Sequence, residues 1–99
     1  MRSSRRSDPQ FFLIEVEGLL DALTFKTFYC RINRLSTILE LHEYRVPVRS
    51  DRVRWHRCVF IVKTSRRRGL KNCLHQLGRH RNVNVTIKPI QYETPLPIY

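Results

Sequence analysis

The chain has 99 residues, 41% of them hydrophobic, with nineteen Lys and Arg against eight Asp and Glu, a net charge of +11 and a pI near 10.6. That length and composition fit one domain with a small core, and the charge opposes self-association between like copies. No apolar run approaches the roughly 20 residues that span a bilayer, and Cys30, Cys58 and Cys73 are too widely spaced for a disulfide framework or a paired-cysteine metal site, which indicates a reducing compartment.

Met1 to Gln10, with Arg2, Arg5 and Arg6 among serines, reads as a basic arm or a targeting remnant of the organellar kind. In Phe11–Glu17, Phe12, Ile14 and Val16 alternate with Leu13, Glu15 and Glu17, which predicts a strand with one buried face that Gly18 ends. A helical period follows from Leu19 to about Thr37 through Leu20, Leu23, Phe25, Phe28, Ile32, Leu35 and Leu39. Thr37–Leu41 fits either the end of that helix or the start of a second strand, which runs on to Val48 with Pro47 marking an edge or a terminus.

After a loop over Arg49–Arg52, Trp55–Lys63 is apolar on both faces, as a central strand would be. Thr64 or Ser65 then caps a second helix with a Leu70, Cys73, Leu74, Leu77 stripe and Gly78 at its expected stop. Val83, Val85 and Ile87 alternate in a last strand, and Pro89, Pro95 and Pro97 hold an extended tail over residues 91–99. The order predicts an α+β, ferredoxin-like βαββαβ domain over residues 11–90, with a four-stranded antiparallel sheet and two helices on one face. That fold serves many functions, so function has to come from sites.

The charge is concentrated. Arg45 to Tyr92 holds thirteen Lys and Arg against Asp51 alone, while Phe11 to Tyr44 holds three against five acids. Fifteen of the nineteen basic residues are Arg, whose planar fork suits phosphate, so the expected partner is RNA or DNA. Arg66, Arg67 and Arg68 fall in the first turn of the second helix, where the dipole disfavours cations, and their clustering points to an external anion. Arg49, Arg52, Arg54 and Arg57 flank the hairpin loop around Trp55 and His56, where Trp55 either stacks on a base or packs in the core. Arg45, Lys71, Arg79 and Arg81 complete the expected RNA-binding set.

Other chemistry is not written in the residues. His42, His56, His75 and His80 and the three cysteines match no metal spacing, Cys58 and Cys73 read as small core groups, and no cofactor is implied. Glu15 and Glu17 share a strand face that reads as solvated rather than catalytic. The third strand, Arg57-Cys58-Val59-Phe60-Ile61-Val62-Lys63, lacks the glycines and stacking rings of an RNA-recognition motif, and Glu15–Asp21 lacks the anion loop of acylphosphatase.

From Tyr44-Arg45-Val46 through the basic loop to Cys58-Val59-Phe60-Ile61-Val62, then Leu70, Cys73, Leu74, Leu77, Arg79 and Val83, about half the chain resembles small ribosomal subunit protein six of bacteria and organelles. The resemblance implies a non-enzymatic structural component that binds small-subunit ribosomal RNA beside neighbouring ribosomal proteins, protein eighteen among them. It places contacts at Arg45, in the Arg49–Arg57 loop and at Arg79. The segment before Tyr44 is shorter than in that family, which bears on the protein-eighteen contact. With the Arg-rich start, a mitochondrial ribosome is the expected location, another organelle or the cytoplasm being the alternatives. A ligand-sensing or dimerising regulatory module of the same fold, or a different small RNA-binding protein, are the alternative functions.

Overall fold

The structure is a computed structural model that describes residues 10–46 and 54–92. Its elements are β1 (Gln10–Leu20), α1 (Ala22–Leu35), β2 (Thr37–Val46), β3 (Arg54–Thr64), α2 (Arg67–Arg81) and β4 (Asn84–Ile90). The strands form one antiparallel sheet in the order β2-β3-β1-β4. Both helices lie on one face, and the fold is the expected ferredoxin-like α+β arrangement. The expected arm before Gln10, the Arg49–Arg52 loop and the tail beyond Tyr92 lie outside the described residues.

The core forms between that face and the helices. Phe12, Ile14 and Val16 of β1 stand in register with Val62, Phe60 and Cys58 of β3, and all six are buried under Phe28 and Ile32 of α1 and Leu70, Leu74 and Leu77 of α2. The alternate positions, Leu13, Glu15 and Glu17 of β1 with Ile61, Val59 and Arg57 of β3, form the open face. At β4, Val85 and Ile87 lie opposite Val16 and Ile14 and pack against the core. β4 runs further than expected, to Ile90; as an edge strand it tolerates Pro89, which has no N–H to offer.

The end of β1, the start of α1 and both ends of α2 differ from expectation, each for a local reason. Gly18 does not end β1: its φ of +148° is open to glycine, and a bulge between Glu17 and Leu20 carries the strand on until Leu20 pairs with Trp55. α1 starts at Ala22 because Asp21 caps it, its carboxylate accepting the Thr24 N–H at 2.8 Å. Leu20 is therefore a strand residue, and so is Leu39, because α1 ends at Leu35 and β2 begins at Thr37. Leu23, nine residues before Ile32 and so half a helical turn away from it, is 64% exposed.

α2 has neither Thr64 nor Ser65 as its cap. Arg66 holds that position without a side-chain cap bond, while Thr64 accepts the Arg66 N–H at 2.9 Å. Nor does Gly78 stop the helix, which runs one turn further to Arg81. There Asn82 takes the left-handed conformation (φ 60°, ψ 45°), with Val83 N bonded to Gly78 O at 2.9 Å and Asn82 N to Arg79 O at 3.3 Å.

Gly78 serves packing instead. A Cβ there would lie 2.7 Å from Val85 Cγ2 and 3.0 Å from the Val83 carbonyl oxygen, so only glycine lets α2 meet β4 this closely. Gly78→Ala gains about 1 kcal/mol of helix preference but loses about 1–3 kcal/mol to overpacking against a backbone atom that cannot swing away. The expected result is a lower melting midpoint. Gly69→Ala, where a Cβ meets nothing within 4 Å, raises it by the helix term alone. Thermal denaturation of the pair checks the opposite signs.

Candidate nucleic-acid interface

The structure sorts charge by layer. α1 and α2 together hold eight Lys and Arg and no Asp or Glu. Every Asp and Glu among the described residues is on β1 or β2 or is the α1 cap Asp21. Lys26, Arg31 and Arg34 on α1 and Arg67, Arg68, Lys71 and Arg79 on α2 are exposed, as is Arg66 at the α2 cap. The outer surface of the helix layer is thus cationic, whereas the open face of the sheet mixes Glu15, Glu17 and Glu40 with Arg57, Lys63 and Lys88.

The expected RNA-binding residues divide between these layers. Arg66, Arg67, Arg68, Lys71 and Arg79 fall in the helix layer. Arg79 and Arg81 occupy the last turn of α2, where the dipole favours cations, so the fold itself accounts for them. Arg81 is also half-buried, with its Nε enclosed and unbonded among the described residues. Arg66 to Arg68 have no such account: they crowd the positive pole of α2 with no acid in its first turn. Among the described residues only Arg67 of the three has a side-chain contact, its guanidinium 6.0 Å from the Phe12 ring centre.

The hairpin arginines sit elsewhere. Arg57 Nε lies 2.7 Å from Glu15 Oε2, an ion pair by distance whose buried N–H is not aligned as a hydrogen bond, and its guanidinium covers the Tyr44 ring at 4.7 Å. Arg45 pairs with Glu43 at 3.4 Å and lies 5.8 Å from the Trp55 ring centre. Both are engaged inside the sheet layer. Arg54 is the first residue of β3, and Arg49 and Arg52 lie outside the described residues. Glu15 is accordingly an ion-pair partner and not merely a solvated strand residue.

Trp55 takes the packed alternative. It is 6% exposed, stacks on Phe25 at 4.5 Å and 8°, and donates its Nε1–H to Glu43 Oε1 at 2.7 Å. No face is left for a base. The rings on the open side are Tyr44, under Arg57, and Phe11, 5.5 Å from Tyr92. The Tyr92 hydroxyl donates to Glu40, whose carboxyl is held below its ordinary value by His42 first and by Tyr92 second. Glu15 and Glu40 near these rings are offset on this face by Lys63 opposite Phe11 and Lys88 opposite Leu13.

Lys26, Arg31, Arg34 and Lys63 are cations that the sequence reading passed over because they are dispersed in the chain. Helical spacing puts Arg31 and Arg34 three apart on α1, and Arg34 shares a cleft with Lys63 and Arg66. Among the described residues no three His, Cys, Asp or Glu side chains gather to hold a metal, and no helix is long and apolar enough to cross a membrane.

Cys58 is fully buried between the sheet and the helices. That burial, with the charge of Glu43 adding to it, pushes its thiol up to about 12. Since the folded value lies above the unfolded one, its contribution to stability is intact below the ordinary thiol range near 8.5. It declines as pH rises through the folded value. Iodoacetamide at mildly alkaline pH is expected to modify the exposed Cys30 and spare Cys58 until denaturant is added. Mass mapping of the alkylated cysteines reads this out.

Comparison with known proteins adds a fold and no function. No protein-family model matches the chain, and no curated protein matches it. Among solved structures it is similar to an unknown protein from Galdieria sulphuraria, with a TM-score of 0.71 and 14% identity over 92% of this chain and 55% of that one. A DUF3240 family protein from Shewanella baltica aligns with a TM-score of 0.56 and 14% identity, covering 89% of this chain and 97% of that one. The chain spans about half the length of the first of these, 55%.

Proposed function

We propose that this chain is a non-catalytic RNA-binding domain, and that it works as a structural component of a small ribosomal subunit of mitochondrial type. The observation that carries RNA binding is the helix layer, with eight Lys and Arg, no carboxylate, and Arg66 to Arg68 placed against the local dipole. A polyanion relieves that arrangement, and Arg-rich surfaces match phosphate geometry. The ribosomal placement is supported by the likeness of Tyr44-Arg45-Val46 and the strands and helix after it to small-subunit protein six, and the mitochondrial one by Arg2, Arg5 and Arg6. In this reading the open face of the sheet, with the half-buried Leu13 and Ile61, docks a neighbouring ribosomal protein.

That apolar patch is also what favours the second reading, a dimerising regulatory module. Sedimentation of the tagged chain from lysate at low and high salt, with sequencing of bound RNA, separates the two. Migration with the mitochondrial small subunit, released by salt, is the expected result. A light peak without RNA, of twice the chain mass, would replace the ribosomal reading with the dimer.

A further inference from the structure

At one corner of the molecule, where α1 ends, β3 ends and α2 begins, a cleft of about 500 Å³ is lined by Arg34, Ser36, Lys63, Thr64, Ser65 and Arg66, among others. Three separate elements each contribute a cation, and among the described residues no carboxylate lines it. Arg34, Lys63 and Arg66 are exposed, and none has an ion-pair partner among the described residues.

Two of the α1 C-terminal carbonyls, groups that would repel an anion, are taken up by side-chain donors here. A helix C-terminus ordinarily presents bare carbonyls. Here Ser36 Oγ donates to the Ile32 carbonyl at 2.6 Å and Thr64 Oγ1 donates to the Leu35 carbonyl at 2.8 Å. Thr64, buried, also accepts the Arg66 N–H, so one hydroxyl ties the end of α1 to the start of α2 and holds the rim in place. Ser65 stands exposed between the cations.

We propose that this cleft binds a phosphoryl group carrying up to two negative charges. The cleft draws its cations from three elements, which distinguishes it from the helix surface that would follow a strand of phosphodiesters. A terminal phosphate of an RNA strand and a small free phosphate share this chemistry. The first source rests on the RNA-binding reading, and the second does not.

The test uses the full chain, with ¹⁵N labelling, and inorganic phosphate at constant ionic strength set by chloride. Phosphate is expected to shift the amides of Ser36 and of Thr64 to Arg66 with a Kd on the order of 10 mM, the sum of three exposed charge pairs. The shifts should be lost in Arg34→Gln/Lys63→Gln, and Arg66→Gln serves as the second variant should that pair misfold. A second arm compares one short RNA with a 5′-phosphate and with a 5′-hydroxyl. About fivefold tighter binding of the phosphorylated strand, abolished in the double variant, identifies a strand end as the source. Phosphate shifts without binding of either RNA would keep the cleft and overturn the RNA reading. No local shifts, or losses equal for both RNAs, would overturn the cleft.

Discussion

Phe60→Ala is expected to cost the free chain about 3–5 kcal/mol, against about 1–2 kcal/mol for Val59→Ala one residue away. Phe60 is fully buried on the helix side of β3, opposite Ile14 on β1 and Leu41 on β2, with its ring 6.5 Å from Phe25 and 6.4 Å from Tyr29. Truncation there leaves a cavity bounded by both neighbouring strands and α1, which cannot close on it together. Val59 is 7% exposed but belongs to the open face, between Glu15 and His42, and loses only its own transfer term. A domain of this size has about 5–15 kcal/mol to lose, and a net charge of +11 draws on that reserve, so the Phe60 variant is expected to be largely unfolded when free. Urea titration followed by Trp55 fluorescence, a ring stacked in the same core, measures both. An equal loss for the two would mean that the open face is covered in solution, and would move weight to the dimer.

Leu77 and Val59 are both buried, and only Leu77 belongs to the cluster under the helices. Alternation in β1 and β4, the run of β3 that is apolar on both faces and the Leu70, Cys73, Leu74, Leu77 stripe made the fold legible, because each is a short-range pattern. What it could not reveal is what neighbours decide. Gly18 reads as a stop until β3 holds the chain beyond it, and Gly78 reads as a helix end until β4 comes within contact of it. For the site, the number of arginines was legible and their layer was not. Arg57 and Arg66 look alike in a basic run, yet the register of β1 and β3 brings Glu15 to the first, and the second is left at a helix pole. Dispersed cations such as Arg34 and Lys63 meet only in the fold.

The same distinction sets the largest expected effect on binding. Arg66→Gln/Arg67→Gln/Arg68→Gln is expected to weaken RNA binding by about 10²–10³-fold near 0.1 M salt and to lower the salt slope by roughly 2–3, about one phosphate per side chain. Stability should stay level or rise, since each cation removed from the positive pole of α2 returns about 0.3–1 kcal/mol. Loss of the Arg67 contact with Phe12, at the 6.0 Å limit of such contacts, offsets about 0.5 kcal/mol of that gain. Arg45→Gln/Arg57→Gln is the control: these side chains are engaged by Glu43, Glu15 and Tyr44, so RNA affinity should change by only about twofold. Fluorescence anisotropy over a salt series, with melting curves of the same samples, measures both sets. If the control carries the loss and the α2 triple does not, RNA lies along the β2–β3 hairpin, where the ribosomal resemblance puts it, and the cationic helix layer is a solvated face. If the triple lowers the melting midpoint sharply and leaves binding unchanged, the arginines stabilise α2 by a route its dipole does not predict, and the case for RNA on this layer is lost.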